Sequence, residues 1–163
     1  MRRLATVLCA LAMTWVGVTT TATAANAAAT VTNCNSSSGP GTLVSSNYVR
    51  VAGNGAAVGA AQLCKSGAYY WGYVVFYAPV QPNNWGQVRL DRYQGGTQVA
   101  AYTCDSAGGN GHVLPGQTQC WTPKINGGTS DKFQALGYSC FGSTYPSCPN
   151  TNLDAWGRTA LTR

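Results

Sequence analysis

From Tyr48 onward, apolar and polar residues alternate one for one in short runs, and no stretch shows a 3.6-residue period free of glycine. A period of two sends successive side chains to opposite faces of a pleated strand, so the pattern predicts β-structure throughout. Strands are expected at Tyr48–Ala52, Ala57–Cys64, Tyr69–Tyr77, Gly86–Tyr93, Gln98–Cys104, Phe133–Cys140 and Ala155–Leu161. In Gly86–Tyr93, Val88 and Leu90 take one face while Gln87, Arg89 and Asp91 take the other, which predicts one dry side and one wet side. Tyr69–Tyr77 differs. Tyr69, Trp71, Tyr73, Val75 and Tyr77 share one face, and Tyr70, Val74 and Phe76 flank Gly72 on the other. Both faces are apolar or amphipathic, as suits a central strand covered on both sides.

Gly53-Asn54-Gly55, Pro82-Asn83-Asn84, Gly95-Gly96, Gly108-Gly109-Asn110-Gly111 and Asn126-Gly127-Gly128 separate these runs and supply turn chemistry. About seven short strands at that spacing predict an all-β fold, an antiparallel β-sandwich or partly open barrel. One echo recurs: Trp71-Gly72, Trp85-Gly86 and Trp156-Gly157 each open a W-G-x-[VT]-x-[FL] run. The glycine shares a face with the third and fifth residues after the tryptophan, leaving room there for a facing ring.

The chain ahead of the strands has another character. Arg2 and Arg3 precede an apolar run from Leu4 to Val18, followed by small residues ending in Ala25-Asn26-Ala27. That order is the plan of a secretory signal peptide, expected at 1–27 with cleavage after Ala27. The run is short of the roughly 20 residues that a membrane span needs. Residues 28–47, rich in Ser, Gly, Pro and Asn, are expected as a flexible leader arm, pinned if Cys34 is bridged, and 48–163 as a single β domain.

Seven cysteines fall to six beyond Cys9 of the signal segment: Cys34, Cys64, Cys104, Cys120, Cys140 and Cys148. An even number in an exported chain predicts three disulfides. Metal ligation would want C-x-x-C pairs or interleaved histidines, and His112 is the single histidine, so no metal site is expected. Fifteen connectivities are open to six cysteines. Neighbour with neighbour is the expected one, because Cys104–Cys120 and Cys140–Cys148 then close loops of Gly, Pro and Asn that bury little.

The formal charge of +6 includes Arg2 and Arg3, which leaves +4 on the exported part. Its cations are scattered singly, so the footprint of a nucleic-acid binder is missing and no such partner is expected. Nor is a cofactor, since no phosphate-binding glycine loop precedes a helix. Catalytic chemistry finds little to use. Cys104-Asp105-Ser106-Ala107-Gly108-Gly109-Asn110-Gly111-His112 places Asp, Ser and His close together and superficially resembles the serine-nucleophile loop of trypsin-like proteases. Ala107 splits the serine from the double glycine, His112 follows the serine, and the chain is too short for two barrels. It reads as a glycine-rich disulfide loop with a solvent-exposed histidine. No glutamate is present, so glycoside hydrolysis would have to use two of four aspartates. Asp105, Ser106 and Asn110 offer calcium a single carboxylate, which makes a poor site.

The aromatic inventory gives more. The chain holds nine tyrosines and five tryptophans against three phenylalanines, and rings with a polar handle suit interfaces and sugar-stacking platforms. Tyr69, Trp71, Tyr73 and Tyr77, together with Trp121 beside its cysteine, are the candidate binding residues. Leu63-Cys64, Tyr70-Trp71-Gly72-Tyr73-Val74, Trp85-Gly86, the Cys104–Asn110 run and Pro115-Gly116-Gln117-Thr118-Gln119-Cys120-Trp121-Thr122-Pro123 resemble small secreted proteins of GC-rich Gram-positive bacteria without assigned activity. That resemblance spans roughly Tyr48 to Lys124 and implies export and disulfides, with no catalytic residues.

The expectation is therefore a secreted, monomeric, non-catalytic protein that recognises an extracellular glycan or protein through Tyr and Trp side chains. The alternative is a secreted hydrolase inhibitor presenting a stapled loop, Gly108–Trp121 or Phe141–Pro149. A small hydrolase using His112 is the third reading.

Overall fold

The computed structural model describes residues 33–142, 145 and 147–163, so the expected signal segment lies outside the described residues. Among the described residues there are nine strands: β1 Thr42–Val51, β2 Ala57–Ser66, β3 Tyr69–Phe76, β4 Asn84–Gln94, β5 Thr97–Thr103, β6 Gln119–Trp121, β7 Ile125–Asn126, β8 Lys132–Phe141 and β9 Leu153–Arg158. Each of the seven expected strands is present. β6 and β7, three and two residues long, are additional.

All the strands pair antiparallel in one sheet, in the order β5-β4-β8-β9-β1-β2-β3-β6, with β7 also on β3. The sheet curls into a half-barrel, which is the partly open form of the expected fold. Val49, Leu63, Val74, Val88, Leu90 and Phe133 fill its interior and are fully buried. Gly137 has no room for a side chain, because Val74 Cγ2, 2.9 Å from where a Cβ would stand, has crossed the curl to meet it.

β5 and β6 are the two ends of the sheet and do not pair. Cys104 follows β5, Cys120 lies within β6, and their disulfide joins these ends. The intervening turn adds backbone bonds from Gly111 N–H to Cys104 O at 2.9 Å and from Asn110 N–H to Trp121 O at 3.3 Å. Cys34–Cys64 and Cys140–Cys148 complete the neighbour-with-neighbour pairing, with Cα separations of 5.3 and 5.9 Å.

The leader arm is pinned through bridged Cys34, and its end belongs to β1. β1 starts at Thr42, and 33–41 lie over the outer face of β2 and β3. Cys34 and Cys64 pack there with Trp71 and Tyr73 in a second buried cluster. Trp71 Nε1 donates to Ser38 Oγ at 3.0 Å, Lys124 Nζ sits 4.4 Å from the Trp71 ring centroid, and Gly41 packs so close to that ring that a Cβ would overlap it. The two-sided pattern of β3 is thereby explained: Tyr70, Val74 and Phe76 face the half-barrel's interior, while Trp71 and Tyr73 face the arm.

The polar side of β4 is drier than expected. Gln87 and Asp91 are buried on it, because neighbouring side chains carpet them. Asp91 pairs with Arg89 at 2.8 Å and accepts from Gln98 Nε2 at 3.1 Å, and Tyr138 donates to Gln87 Oε1 at 2.5 Å. A period of two separates the faces of a strand without saying what lies across them.

Candidate functional site

The five expected binding residues do not form one face. Trp71 and Tyr73 are fully buried beneath the arm, and Trp121 is half-buried with its ring stacked on Tyr73 at 5.8 Å. Burial raises the Tyr73 phenol above its ordinary pKa, with hydrogen bonds to Ser36 and Ser37 opposing, so it stays a donor to Gln119. Tyr69 and Tyr77 are exposed, at 49% and 44%, but stand eight residues apart at opposite ends of β3, roughly 26 Å of strand. An unbroken aromatic strand thus marks packing on two sides, and only its ends reach solvent.

A different row of side chains does come together. Register places Gln87 of β4 opposite Tyr138 of β8, Tyr138 opposite Trp156 of β9, and Trp156 opposite Arg50 of β1. In β9, Ala155 and Gly157 point into the core, which turns Trp156 and Arg158 outward. Trp156 is 48% exposed although its strand lies in the middle of the sheet. Directly opposed residues have Cβ atoms about 5 Å apart. Tyr138, Trp156 and Arg50 therefore form a band about 10 Å long, two strand spacings, on the outer face.

The band is held in place from both ends. Arg50 stacks over the Tyr48 ring, 4.7 Å from its centroid, and donates to Gly55 O at 2.9 Å. Tyr138 packs edge-on against Trp85 at 5.9 Å. Burial raises the Tyr138 phenol's pKa, opposed by Arg89, so its hydroxyl remains protonated at neutral pH. Between β1 and β9 lies a groove of about 290 Å³ lined by Asn47, Tyr48, Arg50, Trp156 and Arg158. Its lining side chains include one indole, one phenol, two guanidinium groups and an amide, and no carboxylate. Such a surface stacks on flat or ring-shaped ligands and donates hydrogen bonds. Alternation in Leu153–Arg158 was the sequence signal for this face, since small Ala155 and Gly157 leave the tryptophan between them as the outward residue.

Beside the band, Asp105 and His112 do meet. His112 Nδ1 lies 3.2 Å from Asp105 Oδ1, and its backbone N–H donates to the same oxygen at 3.1 Å. Asp105 also accepts from Gln87 and Tyr145, and the His112 ring stacks on Tyr145 at 3.8 Å. The histidine is half-buried by these partners where the sequence predicted exposure. Ser106 turns away: its hydroxyl accepts from Thr103 N–H at 2.9 Å. The arrangement orients an imidazole without supplying it with the serine nucleophile that a triad requires.

Among the described residues no group of three or more His, Cys, Asp or Glu is placed to hold a metal ion, and no helix is long and apolar enough to cross a membrane. Three disulfides are compatible with an extracellular or other oxidising environment. No family model, curated protein or solved structure matches this chain.

Proposed function

We propose that this is a secreted binding protein that recognises an extracellular glycan on the outer face of β8, β9 and β1. The observation that carries the reading is Trp156, nearly half exposed in mid-sheet with Tyr138 and Arg50 as its immediate cross-strand partners. A sugar ring presents an apolar C–H face to stack on the indole and hydroxyls to accept from the guanidinium groups. The band's length of about 10 Å matches one or two sugar rings. Strand positions suit such a site because they hold its side chains more rigidly than a loop does. The test is affinity electrophoresis through gels containing cell-wall or plant polysaccharides. Retardation of the wild type that W156A abolishes is the expected result, and migration unaffected by every polysaccharide overturns the glycan assignment.

One observation favours the inhibitor reading as second. Leu114, 47% exposed, caps the loop closed by Cys104–Cys120, where Gln117 N–H donates to Leu114 O at 2.9 Å and fixes a turn. A stapled turn with an apolar tip binds at low entropic cost. Incubation with secreted proteases of several mechanisms decides it: inhibition lost in L114A supports it, and cleavage of the loop with full protease activity eliminates it.

A further inference from the structure

The four aspartates differ in how their charge is met. Asp91 pairs with Arg89, Asp131 with Arg92 at 2.7 Å, and Asp105 with His112. Asp154 alone has no Lys, Arg or His nitrogen within ion-pairing distance among the described residues, and its carboxylate accepts from the Ser139 hydroxyl at 3.2 Å.

That carboxylate borders a cleft of about 330 Å³ at the end of the half-barrel where β3 passes to β4. The other walls are predominantly apolar: Val58 at the start of β2, Phe76 at the end of β3, then Tyr77, Pro79 and Val80. Ser139 is buried at 5%, so the hydroxyl that orients Asp154 is part of the cleft's frame. Tyr77 stands as the exposed wall, at 44%. Burial raises its phenol's pKa, Tyr48 adds to the rise and Arg50 opposes it, so the ring stays neutral and offers its face.

An apolar cleft with a few convergent polar groups is the usual form of a small-molecule site, and the mouth of a β-barrel is one of its usual places. Here the polar element is a carboxylate that no basic side chain faces among the described residues, and two aromatic rings line the same space. Carboxylate and ring faces both attract an ammonium group, while an anionic ligand would be repelled by Asp154. We propose that this cleft is a second binding site that takes a small amphiphilic cation, with a protonated amine at Asp154 and an apolar body against Phe76, Tyr77 and Val80. The cleft shares no lining residue with the groove beside Trp156.

The experiment titrates the chain from Ala28 to Arg163 with n-hexylammonium chloride, following the methyl resonances of Val58, Val80 and Ala57 by NMR. 1-Hexanol and hexanoate serve as the neutral and anionic controls. Saturable shifts at those methyls are expected for hexylammonium, with hexanol weaker and hexanoate silent. D154N keeps an acceptor for Ser139 and should weaken hexylammonium on the order of tenfold while leaving hexanol unchanged. Y77A, at an exposed position, should weaken both the amine and the alcohol. W156A should bind hexylammonium as the wild type does, which separates failure of this site from failure of the glycan-binding face. Methyl resonances that do not move, equal affinity of D154N and wild type for hexylammonium, or its loss in W156A would each overturn the proposal.

Discussion

Gly86 is where the sequence echo and the packing can be tested together. An alanine Cβ there would overlap the Phe76 ring, standing 2.9 Å from Cζ and closer still to Cε2, with Val113 Cβ 3.3 Å away on the other side. In open strand, replacing glycine by alanine would stabilise by about 0.5–1 kcal/mol, because the unfolded chain loses freedom. Overpacking a close-fitted core costs about 1–3 kcal/mol. The overlap is with the edge of a ring that is itself 5% exposed and cannot swing out, so the cost wins, and G86A should lose about 2 kcal/mol net. F76L removes the overlapping edge at a cost of about 1 kcal/mol in lost burial. The double variant should then sit at least about 1 kcal/mol above the additive sum. Urea unfolding of the four proteins, followed by far-ultraviolet circular dichroism at constant m-value, measures the cycle. A stabilising G86A, or costs that simply add, would refute the claim that this glycine makes room for a facing ring.

G157A meets the Tyr48 carbonyl carbon at 2.6 Å, a backbone contact that no side-chain change can relieve, so it should destabilise more than G86A and resist rescue, as read by the same unfolding curves. Replacing Cys104 and Cys120 by alanine should cost about 3 kcal/mol in loop-closure entropy and, because that bridge joins the two sheet ends, accelerate hydrogen exchange in β5 and β6. Unchanged exchange there would remove the bridge's role in holding the curl. The Asp131 carboxyl is held below its ordinary pKa by the Gln94 amide first, then by Gly128 N–H and Arg92, against an opposing contribution from burial. A depressed folded pKa gives stability that is complete above the unfolded value of 3.8 and lost as pH falls through the folded one. Denaturation midpoints should therefore drop on acidification below about pH 4 in the wild type, and less steeply in D131N.

The parts of the fold that follow from local rules were legible in the chain. Period-two alternation located seven strands, the two-sided apolar pattern of Tyr69–Phe76 marked a strand covered twice, and cysteine spacing led to the observed pairing. β6 and β7 could not be read, because three and two residues are too few to show a period and are strands only by pairing with β3. The arm's composition is that of a loop, so the strand that begins within it at Thr42 could not be read. What fixes it is the bridge at Cys34 and the Trp71 ring beneath Gly41, both contacts to residues distant in sequence. The site suffered for the same reason. Trp71 and Tyr73 have the chemistry of a binding surface and are covered by that arm. The small residues on either side of Trp156 mark it as outward-facing, but its aromatic and cationic neighbours arrive from β8 and β1 through register, which the sequence does not show.

The most direct test of the proposed glycan-binding role of the Trp156 face is isothermal titration of wild type and W156A with the polysaccharide that retards the wild type. The indole is half exposed, so W156A should stay folded at the assay temperature, as read by far-ultraviolet circular dichroism, while costing at least about 2 kcal/mol of binding, roughly thirtyfold in Kd. A W156A protein that binds the polysaccharide as tightly as the wild type would contradict the account.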